Sequence, residues 1–150
     1  MNSAIMAFLH HIFAFGLTAC LVYELVTFRR ELTLEDARKI QRADLLYGVS
    51  SGLLLVVGLL RVFYFEKGAA FYMQSPFFWV KMGTFLIVGL LSISPTIRFL
   101  RWNSLLKQDQ VPVLSEAEYV RTRRLLWLEV TGIAVILLSA SLMARGIGFN

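Results

Sequence analysis

Among the ionisable side chains that stand in or at the edge of the long apolar stretches of this 150-residue chain are His10, His11, Glu24, Asp44, Arg61, Lys81 and Glu129. A charge in such a stretch costs several kcal/mol unless it is paired, solvated or able to reach water, so each is a candidate for function. By type they divide in two. Histidine is the usual protein ligand of haem iron, helical bundles are where such cofactors sit, and the two propionates of a haem need cations in a dry setting. His10 and His11 offer the ligand, and Arg61 and Lys81 offer the cations, with Tyr64, Tyr72, Phe78 and Trp79 at a similar depth. Glu24, Asp44 and Glu129 are the second set, suited to passing protons or holding a cation. Plainer readings stand beside these. A histidine near a membrane end can simply hydrogen-bond a neighbouring helix, and Arg61 and Lys81 can snorkel to headgroups. The aromatics can form an interfacial belt, and Glu24 and Glu129 can anchor to arginines.

The elements that must hold these groups follow from composition. The chain is 57% hydrophobic and 17% charged, against roughly 45–50% and about 25% in ordinary soluble domains. That excludes a soluble enzyme, a disordered chain and a disulfide-stapled module. Apolar runs cover about residues 3–28, 45–65, 77–100 and 125–144, each near the roughly 20 residues that a spanning helix requires. They are continuous and do not alternate, which indicates helices and not barrel strands. Short connections make neighbours antiparallel. The expected fold is an all-α integral membrane protein, an antiparallel bundle of four transmembrane helices forming one domain over 1–150.

Charge sets the direction. The first loop carries Arg29, Arg30, Arg38, Lys39 and Arg42, and the third region Arg98, Arg101, Lys107, Arg121, Arg123 and Arg124. The second loop has only Lys67, and Arg145 follows the last span. Positive-inside counting places loops one and three in the cytoplasm and both termini outside. The net charge of +5 then reflects those loops and not a nucleic-acid surface. His10, His11, Arg61 and Lys81 fall in the outer half, and Glu24, Asp44 and Glu129 in the inner half. Neighbours on a helix diverge by about 100°, so His10 and His11 cannot both face the centre. The series His10, Ala14, Leu17, Leu21 and Glu24 keeps one face, which makes His10 the preferred ligand.

Finer signals bear on packing. Thr33 with Asp36, and Ser115 with Glu118, read as helix starts that extend spans two and four below the membrane. Gly48, Ser51, Gly52 and Gly58, and Gly132 with Ser139, are small residues that permit close helix approach. Pro95 removes a backbone bond and is expected to kink span three near its inner end. Leu17-Thr18-Ala19-Cys20 resembles a lipoprotein cleavage box, but no Lys or Arg precedes the apolar run and the run continues to Val26. Cys20 is expected to stay in the span as an inert thiol.

Two motifs carry a resemblance: Leu9-His10-His11-Ile12-Phe13-Ala14-Phe15 early in span one, and Trp79-Val80-Lys81 at the start of span three. With them the chain resembles the small membrane proteins of the CopD-like superfamily, which includes the HemJ-type protoporphyrinogen oxidases. The spacing of His10 and Tyr23 is similar to that of the HemJ-type histidine and its downstream Phe-Tyr. Tyr47-Gly48, Arg61, Lys67-Gly68, Phe78-Trp79-Val80-Lys81 and Ser92-Ile93-Ser94-Pro95-Thr96 resemble an uncharacterised bacterial four-helix family of that superfamily over nearly the whole chain. The resemblance implies a four-helix fold, haem b, His10 as iron ligand and Lys81 as a functional lysine facing porphyrin carboxylates. The chain departs from the HemJ-type Trp-Phe-Ala-Gly-Leu-Phe-Tyr stretch, having Leu17-Thr18-Ala19-Cys20-Leu21-Val22-Tyr23 followed by Glu24.

The expectation is therefore a haem b-binding protein of the bacterial inner membrane, lipid-embedded, multi-pass and self-associating. Its expected role is redox, either electron transfer with a quinol or oxidation of a porphyrinogen. His10 is the iron ligand, His11, Arg61, Lys81 and Tyr64 lie at the cofactor, and Lys81, Glu24 and Glu129 are the working groups. The sixth ligand is open between His11 of a neighbouring subunit, water and none. Two alternatives come from other classes. One is a cofactor-free transporter or permease component whose Glu24 and Glu129 bind a cation, and the other is a structural partner of a larger complex. Met6, Met82 and Met143 are too scattered for a Cu(I) methionine ladder.

Overall fold

A computed structural model describes residues 1–65 and 68–148. The helices are α1 (Asn2–Thr27), α2 (Leu34–Leu60), the short α3 (Ala69–Met73), α4 (Pro76–Arg101), the short α5 (Asn103–Lys107) and α6 (Glu116–Ala144). At its end α2 widens into a π-helical turn over Arg61–Phe65. Four of these helices are long and apolar enough to cross a membrane. The 26 residues of α1 rise about 39 Å, more than the roughly 30 Å of a hydrocarbon core. The chain is an all-α, four-helix, multi-pass membrane protein. Lys67, counted above in the second loop and in the Lys67-Gly68 motif, lies outside the described residues.

The starts of the long helices are written locally. The Thr33 hydroxyl accepts from the Asp36 amide at 3.1 Å, and Glu35 and Asp36 place negative charge in the first turn of α2, where the helix dipole favours it. Ser115 and Glu118 form a reciprocal capping box at the start of α6. Pro76 opens α4 at a position where its missing N–H costs nothing. Both caps lie beyond the apolar runs, so α2 and α6 do extend past the hydrocarbon. The α4 helix continues through Pro95 to Arg101 without a break.

The helices pack as two antiparallel hairpins, α1 with α2 and α4 with α6. These meet along α1 and α6 and, more sparsely, along α2 and α4. The order around the bundle is thus α1, α2, α4, α6. Gly132 marks the tightest crossing: a methyl group there would stand 2.3 Å from Val88 Cγ2. Gly48 and Gly52 differ from expectation, since nothing lies within 4 Å of a Cβ at either. Phe8, Phe15, Leu45, Leu86 and Leu138 point outward, as lipid-facing residues should.

The basic end is the best packed. The rings of Phe28, Phe99, Trp102 and Tyr119 stack and tilt on one another at 5.0–6.5 Å between centroids. Side chains stitch the loops to this cluster. Arg123 donates to the Phe28 carbonyl at 3.2 Å, Gln41 to the Phe99 carbonyl at 2.7 Å, and Arg98 pairs with Glu118 at 2.8 Å. Arg38 bonds the Leu106 carbonyl and the Asp109 carboxylate.

Candidate functional site

At the opposite end, His10 lies half-buried on the α1 face that turns toward α2. Its Nδ1 is buried without a hydrogen-bond partner. The imidazole fits there because residue 58 is glycine: a Cβ at Gly58 would stand 3.3 Å from His10 Cε1. Arg61, in the π turn of α2, and Lys81, one turn into α4, lie near enough to act on the charge of His10. The Lys81 ammonium sits 5.7 Å from the centroid of the Phe78 ring, a cation–π contact worth roughly 0.5–2 kcal/mol. The π turn was not legible in the sequence. Such turns recur at functional sites because one extra residue per turn re-aims the side chains that follow.

Two other expected members are placed differently. His11 is exposed, its Nδ1 bonded to the Ala7 carbonyl at 2.6 Å, and its ring stands edge-on to His10 at 6.3 Å. Tyr64 is 77% exposed on the outside of the π turn. Tyr72 and Phe78 do meet, at 6.3 Å, and Trp79 ties α4 to α3 through the Met73 carbonyl at 3.1 Å.

Toward the basic end, three carboxyls converge from three helices. Glu24 of α1 and Glu129 of α6 are each 1% exposed, and Asp44 of α2 is also buried. They lie close enough for their charges to act on one another. The stripe predicted along α1 leads here, since Leu17, Leu21 and Glu24 are all buried. Hydroxyls complete the cluster. Thr96 donates to Asp44 Oδ1 at 2.7 Å, and the Tyr47 hydroxyl lies beside Glu129 and Ser92. One oxygen of Glu24 and one of Glu129 remain without a partner. Among the described residues no Lys or Arg pairs with any of the three carboxyls. Sequence reasoning missed Tyr47, Ser92 and Thr96 as members. Tyr47 follows Asp44 by three residues and so shares its helix face, and all three lie in the segments that carry the family resemblance.

Between the two sets lies a central cavity of about 40 Å³, lined by residues of all four long helices, with Thr18, Tyr47 and Ser51 as its polar groups. Ala14 and Leu54 form its ceiling, one turn below His10 and Gly58. Since a water needs roughly 10–15 Å³ on this measure, the space suits a few waters and not a porphyrin.

A family model of predicted membrane proteins, DUF2214, matches residues 2–148. The chain belongs to this family. No curated protein and no solved structure matches it. For this DUF2214 member the chemistry therefore has to be read from the two side-chain sets.

A haem asks three things of a protein: an imidazole nitrogen, cations for its propionates and room beside the ring. His10 offers the nitrogen and Arg61 with Lys81 the cations, while the space at Gly58 is taken by the His10 ring itself, so a haem would have to lie on the outward side of that ring. Among the described residues no three His, Cys, Asp or Glu side chains converge closely enough to hold a bare metal ion.

Proposed function

We propose that this chain is a membrane haem b protein with a redox role, its cofactor held at the His10 end. The observation that carries this is the buried, unpartnered Nδ1 of His10 on a ring seated against Gly58, with two cations close by. A buried imidazole nitrogen without a hydrogen bond, with the Lys81 ammonium close by, is a costly arrangement, and an anionic group carrying a metal would relieve it. His10 supplies the iron ligand, while Arg61 and Lys81 neutralise the propionates. Bound haem supplies one-electron chemistry, and the reading extends to a quinol or a porphyrinogen as the reductant. The likeness to the CopD-like superfamily and its HemJ-type members supports the same cofactor. His11 and Tyr64 then face the surroundings of the bundle, where His11 is available to a second copy.

The convergence of Glu24, Asp44 and Glu129 favours a second reading, a cofactor-free transporter component that cycles protons. The two are separated by the visible spectrum of detergent-purified protein, as isolated and after dithionite. A Soret band with sharpened reduced bands, lost in His10→Ala, is the expected result. A colourless protein expressed with haem in excess, or unchanged haem content in His10→Ala, overturns the haem assignment.

A further inference from the structure

We infer that the bundle contains a proton-binding site, formed by Glu24, Glu129 and Asp44, that exchanges its proton with the central cavity on its His10 side. The inference does not depend on a haem. Glu24 and Glu129 are 1% exposed, each has an oxygen with no partner, and their neighbours are hydroxyls in place of cations. A buried carboxylate without a counter-charge costs several kcal/mol, and a second one beside it adds repulsion. The groups facing the cluster are Cys20 from α1, Tyr47 from α2, and Ser92 and Thr96 from α4. None of these brings positive charge. The nearby arginines are already committed, Arg98 to Glu118 and Arg123 to the Phe28 carbonyl. A proton is the neutralising partner that this site can take.

The route follows from what closes each side. One turn nearer the basic end, the end of α1 and the helices α2, α4 and α6 place Phe28, Ile40, Phe99 and Leu126, all at 0% exposure. Those four side chains belong to the apolar core that packs between the cluster and the basic loops. Toward His10 the cluster borders the cavity, whose ceiling of Ala14 and Leu54 stands one turn short of His10. Tyr47 lies beside Glu129 and also lines the cavity, where Thr18 and Ser51 give water further partners. On exchange, a carboxylic O–H bond breaks, the proton passes to a cavity water, and the Tyr47 and Thr96 hydroxyls hold the resulting charge.

Infrared spectroscopy of the full chain in lipid nanodiscs tests both parts. At neutral pH the protein should show a carboxylic-acid C=O stretch that shifts on transfer to D2O. Glu24→Gln and Glu129→Gln should each remove a component of it. Filling the cavity with Ser51→Leu or Ala14→Val should slow the D2O shift several-fold while leaving the band in place. Labelling of Glu24 by dicyclohexylcarbodiimide, which reacts with protonated buried carboxyls, should be lost in Glu24→Gln. No acid band, or a band unchanged in both Gln variants, overturns the site. Protection from the carbodiimide by sodium ions at constant pH overturns the proton in favour of a metal cation. An unchanged exchange rate in both cavity variants overturns the route. All of these readouts remain available in a colourless protein, so a failure of the haem reading is seen separately.

Discussion

The two ends of the bundle are built on opposite principles. At the basic end four aromatic rings pack on one another, and arginines and a glutamine satisfy the carbonyls at the helix ends. At the His10 end the helix widens into a π turn, an imidazole nitrogen lies buried without a partner, and two cations approach it. One end has its helix-end carbonyls answered, and the other leaves the buried His10 nitrogen without a partner. Such a division lets a small bundle keep an unsatisfied, chemically available site, because the strain is borne by a scaffold anchored elsewhere. The buried carboxyls sit at the border, sealed on the packed side and connected on the open one.

The largest test of that division compares aromatic rings from the two ends. Phe99→Ala removes a fully buried ring from the cluster and should cost about 3–5 kcal/mol, read by thermal unfolding in detergent. Tyr64→Ala removes a ring that is 77% exposed and should change stability by no more than about 0.5 kcal/mol. Equal losses would mean that the His10 end is as much a part of the scaffold as the basic end. A smaller effect separates two glycines of the membrane interior. Gly132→Ala drives a methyl into Val88, and overpacking of this kind costs about 1–3 kcal/mol. Gly52→Ala meets nothing within 4 Å and should be neutral or stabilise by up to about 1 kcal/mol through helix propensity.

These pairs also show what was readable in the sequence and what was not. The four spans were legible because a bilayer imposes length and apolarity on every crossing segment. The inward face of α1 was legible from helical periodicity, and Thr33 and Ser115 announced where α2 and α6 begin. What escaped was everything fixed by which helices are neighbours. Gly58 and Gly132 make close approaches while Gly48 and Gly52 do not, a difference decided by where helices cross. Tyr47 reaches Glu129 only because α2 and α6 both face the bundle centre. The π turn at Arg61 is a one-residue change in winding, for which composition carries no mark. The candidate site was thus visible as a set of costly residues, and its division into an open imidazole and a hydroxyl-lined acid cluster was not.

The smallest expected difference lies wholly within the basic end and asks which of its contacts matter. Ser115 caps α6 through the Glu118 amide, while Glu118 returns a bond to the Ser115 amide at 3.0 Å. Ser115→Ala frees backbone donors that the helix cannot satisfy internally, at a cost of about 1 kcal/mol. The neighbouring Arg30–Glu116 pair is just as short, at 2.8 Å, but its side chains are 64% and 60% exposed. Water screens such a pair and ordering two long side chains offsets the attraction, so Arg30→Ala should fall within about 0.5 kcal/mol of the parent. Unfolding midpoints of the two variants, measured at low and high salt, separate the contributions. If Arg30→Ala proved the more damaging and the damage faded with salt, the basic end would be held by its charge. If Ser115→Ala dominates and salt leaves both midpoints in place, the end is held by packing and by satisfied backbone. The buried aromatic cluster and the carbonyl-bonded Arg123 and Gln41 side chains point to that second outcome.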